Sequence, residues 1–172
     1  IDSVTALFAI GQKPTGSEDP FALRRLGNGA VRILLEKQIR IPCPDMIEAV
    51  IDILKKGRPD LNAGQVRSDV LEFLWQRAES LFLDQGFKAD EIRSVRDGGL
   101  DDLPRTYKRL AAVHALRPEA DFAALAQVFK RAANIIKQSD GGAAGEVDKS
   151  LFADEAEKSL YDCDFYSWCL QQ

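Results

Sequence analysis

Histidine is nearly missing from this 172-residue chain, and the lone instance, His114, removes most hydrolytic chemistry at once. There is no HExxH zinc pair, no His-Cys cluster with metal-ligand spacing, and no second imidazole to serve a serine or cysteine nucleophile. Cysteine is scarce as well. Cys43, Cys163 and Cys169 form neither an even disulfide framework nor a CxxC pair, which favours a reducing compartment and a cytoplasmic protein. No run approaches the ~18 apolar residues of a membrane span, and residues 1–10 lack both an initiator methionine and the basic flank of a signal peptide. Strand-length alternation is also wanting: only Ile39-Arg40-Ile41 alternates, and Pro42 closes it. The reading is a piece of a larger intracellular protein with no catalytic residue, no metal site and no cofactor site of its own.

What is present is an ordinary globular balance, 45% hydrophobic and 29% charged, enough to bury one sizeable core. The net charge of −4 counts against a nucleic-acid partner only until its distribution is read. From Asp140 onward eight acidic residues face Lys149 and Lys158 alone, so residues 1–139 carry +2 and leave room for a local basic face.

Helical spacing dominates. Met46, Ile47, Val50, Ile51 and Leu54 recur at three- and four-residue steps, with Asp45 as cap and Gly57 beyond the end. Asp19-Pro20 supplies a cap and a first-turn proline for a helix over about 21–37, with Leu23, Leu26, Ala30 and Leu34 on one face. Gly27 and Gly29 mark either a close helix approach or a soft spot, each costing about 1 kcal/mol against alanine. After the break at Gly57-Arg58-Pro59-Asp60, residues 64–85 form a long helix with Val70, Phe73, Leu74, Arg77 and Leu81 on one face. Leu71, Trp75, Ala78 and Phe82 lie beside it, a surface wide enough for burial on two sides. Gly86 fits its C′ position, residues 89–96 make a short helix, and Gly98-Gly99 ends it. Two more helices, about 103–116 and 119–138, form a hairpin across Arg117-Pro118. Residues 139–145 read as a linker, and from Phe152 onward as an acidic amphipathic helix. The fold predicted is an all-α bundle, in which a shorter helical segment (1–57) packs, through a linker (58–64), on a helical domain (65–172).

Three constellations stand out. His114 falls near Leu103, Tyr107 and Leu110, the apolar side of its helix, and reads as a hydrogen-bonded packing residue. Gly11-Gln12-Lys13-Pro14-Thr15-Gly16-Ser17 faintly resembles a phosphate loop but lacks the closing Gly-Lys-Ser/Thr, and a turn leading into a capped helix explains it as well. On the hairpin, Arg105, Lys108 and Arg109 gather opposite Tyr107, Leu110 and Val113, while Lys130, Asn134 and Lys137 flank a core stripe of Phe122, Leu125, Ala126, Phe129, Ala133 and Ile136. Such faces suit a phosphate backbone, though a solvated surface accounts for them too. Arg25 and Arg32, with Arg24 beside them, form a third basic face of the same ambiguity.

The segment Ile10-Gly11-Gln12-Lys13-Pro14-Thr15-Gly16-Ser17-Glu18-Asp19-Pro20-Phe21-Ala22-Leu23-Arg24-Arg25 resembles a signature of the β subunit of bacterial glycyl-tRNA synthetases. The likeness continues in Val31-Arg32-Ile33-Leu34, in Asp101-Asp102-Leu103 with Tyr107-Lys108-Arg109-Leu110, and in Phe129-Lys130-Arg131-Ala132-Ala133-Asn134-Ile135. It implies that residues 1–57 end an HD-like helical region whose His-Asp positions lie upstream. The rest corresponds to a helical anticodon-binding domain similar to that of arginyl-tRNA synthetase. It also implies that glycine activation, with ATP and Mg, belongs to the α subunit, and that the partners are tRNA, the α subunit and the remainder of the β subunit, with no DNA and no membrane. Leu26-Gly27-Asn28-Gly29 replaces a small-residue run of the family. From about Cys163 the chain departs from the family's continuation, so an incomplete bundle that self-associates is the expectation.

Two functions follow. In the first, Arg105, Lys108, Arg109, Lys130 and Lys137 contact tRNA phosphates, Asn134 reaches a base or sugar, and Arg131 anchors a neighbouring helix. In the second, the helices are a scaffold for subunit or domain assembly without tRNA contact, dependent on apolar anchors such as Trp75 and Phe82.

Overall fold

The computed structural model describes residues 1–138 except Ser17, Pro20, Ala120 and Asp121, together with Glu155 and Lys158. The described residues form seven helices, α1 (Asp2–Ala9), α2 (Leu23–Glu36), α3 (Cys43–Gly57), α4 (Ala63–Asp84), α5 (Ala89–Ser94), α6 (Leu103–Leu116) and α7 (Phe122–Gln138), and no strand. The all-α expectation therefore holds. The helices divide between two compact units, Ile1–Phe122 and Ala123–Gln172. The expected linker at 139–145, the acidic helix after Phe152 apart from Glu155 and Lys158, and the divergent end from Cys163 lie outside the described residues.

In the first unit α4 is the element the others share. It packs against α1, α2, α3 and α5, which is why its apolar surface is so wide. Val66, Val70, Phe73, Leu74, Trp75, Ala78 and Phe82 are all buried along it, and each large apolar side chain so buried contributes about 1.5–3 kcal/mol. Asn62 starts it by accepting the Gln65 amide at 3.2 Å. Residues 58–64 form the connection between α3 and α4 within this unit.

Three helices end in the same device, a Schellman motif. Gly86 (φ 94°) follows α4, its amide on the Leu83 carbonyl and the Phe87 amide on that of Phe82, and the Phe82 and Phe87 rings meet edge to face at 6.4 Å. Gly11 (φ 78°) ends α1 through Gly11-to-Phe8 and Gln12-to-Leu7 bonds. Gln38 (φ 52°), a non-glycine in the left-handed region, ends α2 in the same way. The faint phosphate-loop reading of residues 11–17 finds no support at its start: the amides of Gly11, Gln12, Lys13 and Thr15 are each bonded to backbone carbonyls within the α1 cap and its turn.

Several boundaries and faces differ from the sequence reading. α2 begins at Leu23, not near Phe21, because Ala22 takes a left-handed turn (φ 51°); Asp19 still caps it, receiving the Leu23 and Arg24 amides at 2.7 and 3.0 Å. The buried stripe of α2 is Leu23, Gly27, Val31 and Leu34, so Leu26 and Ala30 are not its core. Gly27 sits where α2 crosses α4: a Cβ there would lie 2.8 Å from Phe73 Cε1 and 3.0 Å from Arg77 Cγ. Gly29 faces open space, so only Gly27 marks a close approach. α3 starts at Cys43, behind Pro42 and with Pro44 in its first turn, which makes Asp45 a first-turn acid instead of the cap. α7 is described from Phe122.

Candidate nucleic-acid interface

Leu103, Pro104, Thr106 and Leu110 turn into the core and fix α6 about its axis, leaving Arg105, Lys108 and Arg109 exposed on the outer side. Both ends of the helix are tied down. At the start, Asp102 accepts the Arg105 amide at 3.0 Å and the Arg40 guanidinium at 2.6 Å. Burial pushes the Asp102 carboxyl up, but the Arg105 amide and Arg40 outweigh it and hold it below the ordinary carboxylate value.

At the far end, Glu91 of α5 is almost fully covered and receives the Lys88 amide at 2.9 Å, His114 Nδ1 at 3.0 Å and an Arg117 Nη1 at 3.0 Å. The same Nη1 reaches Asp90 at 2.8 Å. First the Lys88 amide, then His114 and Arg117, hold the Glu91 carboxyl down at about 2 against the opposing effect of burial. His114 also meets the Phe87 ring edge to face at 5.3 Å, in a cluster with Phe82 and Tyr107. It is half-exposed, and it is the hydrogen-bonded packing histidine its spacing implied.

The contrast in charge is in the sequence of the helices themselves: neither 103–116 nor 122–138 contains a single Asp or Glu. Among the described residues, Arg105, Lys108 and Arg109 have no ion-pair partner, whereas Arg40, Arg67, Arg96 and Arg117 each lie within 4 Å of a carboxylate. The three cations also occupy the N-terminal half of α6, where the helix dipole opposes positive charge; α5 places Asp90 and Glu91 in the equivalent turn. Helix stability therefore does not account for them.

In the second unit, Lys130 and Asn134 are exposed one turn apart on α7, and Arg131, also exposed, is displaced around the helix by one residue. Phe129 was expected in the core stripe. It is 61% exposed. The Lys137 side chain lies outside the described residues, and the hairpin expected between α6 and α7 spans the two units. On α2, Arg25 and Arg32 are exposed, while Arg24 is tied back to the Gly16 carbonyl at 2.6 Å.

Sequence reading missed the Glu91 network, whose members lie 23 and 26 residues apart, and a cleft bordered by Lys13, Arg24 and Arg77. One signal pointed to the cleft: an arginine, Arg77, standing on the apolar face of α4. Trp75 and Phe82, offered as partner anchors, are 4% and 0% exposed and belong to the core instead.

Residues 1–97 match the family described as Glycyl-tRNA synthetase beta subunit. The glycine–tRNA ligase beta subunit of Desulfatibacillum aliphaticivorans is 38% identical over 165 residues, which cover 94% of this chain and 24% of that protein. The corresponding subunit of Syntrophotalea carbinolica is 37% identical over 164 residues, 94% of this chain and 23% of the relative. The chain thus spans about a quarter of the length of the curated relatives it matches.

Proposed function

Because the chain belongs to the glycyl-tRNA synthetase beta subunit family, we propose that it is a non-catalytic, tRNA-binding portion of a heteromeric, cytoplasmic glycine–tRNA ligase. In this reading Arg105, Lys108 and Arg109 on α6, with Lys130 and Lys137 on α7, bind tRNA phosphates, and Asn134 reaches a sugar or base edge. The α subunit carries the ATP- and Mg-dependent attachment of glycine. The observation that supports it best is the acid-free outer face of α6, on which three exposed cations stand without carboxylate partners among the described residues.

Each phosphate neutralised releases condensed counterions, so binding by this face falls steeply with salt, by about 0.7–0.9 in log–log slope per cation engaged. The test is binding of the chain to tRNA with glycine and other anticodons at low and moderate salt, beside a variant with Arg105, Lys108 and Lys130 changed to alanine. Preference for the glycine tRNA, lost in the variant, supports the reading. Absent or salt-insensitive binding by a folded sample rejects it.

A second reading, a scaffold for assembly with the α subunit or the rest of the β subunit, is favoured by α2. Leu26 and Ile33 are 45% and 56% exposed one heptad apart, with Gly29 open between them. These side chains take the place of Trp75 and Phe82 as its anchors. Association that depends on Leu26 and Ile33 and changes little with salt distinguishes it.

A further inference from the structure

A cleft of about 250 Å³ opens between the loop after α1, the start of α2 and the middle of α4, lined by Phe8, Lys13, Arg24, Asp69, Phe73 and Arg77 among others. Its carboxylates already have partners. Asp69 takes the Lys13 ammonium and the Gln65 amide, and the Lys13 hydrogen bond holds its carboxyl below the ordinary value. Glu72, the other acid at the cleft, binds Arg96 at 2.6 Å and Gln76 at 3.3 Å.

The two guanidiniums differ. Among the described residues Arg24 donates to the Gly16 and Glu18 carbonyls, at 2.6 and 3.5 Å, two bonds from a group that carries five N–H donors. Arg77 lies over the Phe73 ring at 5.5 Å, and its Nε is buried with no hydrogen-bond acceptor among the described residues. That Nε is closed off from solvent, so a ligand in the cleft meets Arg77 through its two terminal nitrogens.

We propose that this cleft is an anion site that takes a phosphate group between Arg24 and Arg77, with Lys13 at its rim. Planar guanidiniums match the acceptor geometry of phosphate, and two lining one cleft offer bonds to more than one oxygen edge. At about 30 Å³ per water, the volume has room for a phosphate and its remaining hydration. Gly27 makes the arrangement possible, because a side chain there would displace Phe73 and the Arg77 stem. The phosphate belongs either to an RNA backbone or to a small free ligand.

The test follows the Nε–Hε resonances of Arg24 and Arg77 in the full chain during titration with inorganic phosphate, with tRNA, and with acetate at matched ionic strength. The expected result is a saturable shift of both with phosphate, larger than with acetate, and an affinity, read on Arg24, weakened about tenfold or more by Arg77→Gln. Arg77→Gln keeps the packed stem, and Arg77→Lys, which keeps the charge but not the fork, falls between. Arg105→Gln with Lys108→Gln leaves the phosphate titration unchanged, so this site stands or falls apart from the α6 face. Shifts of the same pair with tRNA assign the phosphate to RNA, and their absence assigns it to a small ligand. Equal responses to acetate and phosphate, or none to either, overturn the proposal.

Discussion

The two sides of α6 use charge in opposite ways. Where the helix meets the rest of its unit, every charged group is held: Asp102 by the Arg105 amide and Arg40, Glu91 by Lys88, His114 and Arg117. On the outer side, Arg105, Lys108 and Arg109 stand exposed, in the half of the helix where its dipole opposes them. α2 shows the same division without charge, with Gly27 pressed against Phe73 and Gly29 facing nothing. Inward groups are therefore fixed by fold stability, while the outward ones are free to answer to a partner.

That division is tested most severely at Leu110, which is fully buried on the inner side of α6. Leu110→Ala is expected to cost about 2–5 kcal/mol in urea unfolding, and a loss under about 1 kcal/mol would mean that α6 is not part of this core. The glycine pair on α2 should split in sign. Gly27→Ala is expected to lose about 1–2 kcal/mol, because the added methyl overpacks against Phe73 by more than helix propensity returns. Gly29→Ala should instead gain about 0.5–1 kcal/mol, and equal effects at the two positions would erase the inner–outer distinction.

Acid sharpens the contrast at the α5–α6 seam. The Glu91 carboxyl is lowered in the fold from 4.5 to about 2, so its stabilisation is complete above about pH 4.5 and disappears as pH falls through about 2. Glu91→Gln should therefore lower the melting temperature clearly at pH 6, and the gap from the parent chain should close toward pH 2. A gap independent of pH would mean that the ionised carboxylate is not what holds the seam. Smallest of all in stability should be the change of Arg105, Lys108 and Arg109 together to glutamine, within about 0.5 kcal/mol of the parent.

Much of this was legible along the chain because the signals are local. α6 begins and ends where Asp102 and the Arg117-Pro118 step place it, α4 is wide because its apolar residues cover two faces, and Gly86 caps α4 as its position implied. The errors arose where a local signal had two solutions. Asp19 caps α2 across a left-handed Ala22, and the close crossing with α4 buries Gly27 in place of Leu26. Pro42 and Pro44 start α3 ahead of Asp45. Periodicity placed Phe129 in a stripe, but periodicity names a face without saying what covers it, and Phe129 is 61% exposed. The face formed by Arg105, Lys108 and Arg109 was readable from i, i+3, i+4 spacing. The Arg24–Arg77 cleft and the Glu91–Arg117 pair join separate helices, which no spacing rule reports.

The central claim, that the outer face of α6 binds the tRNA backbone, is tested most directly by measuring tRNA affinity against salt for the parent chain and the Arg105→Gln, Lys108→Gln, Arg109→Gln triple variant. Weaker binding by the variant, with a log–log salt slope shallower by about 2–3, is the predicted result. Parallel lines from two equally well folded proteins would contradict it.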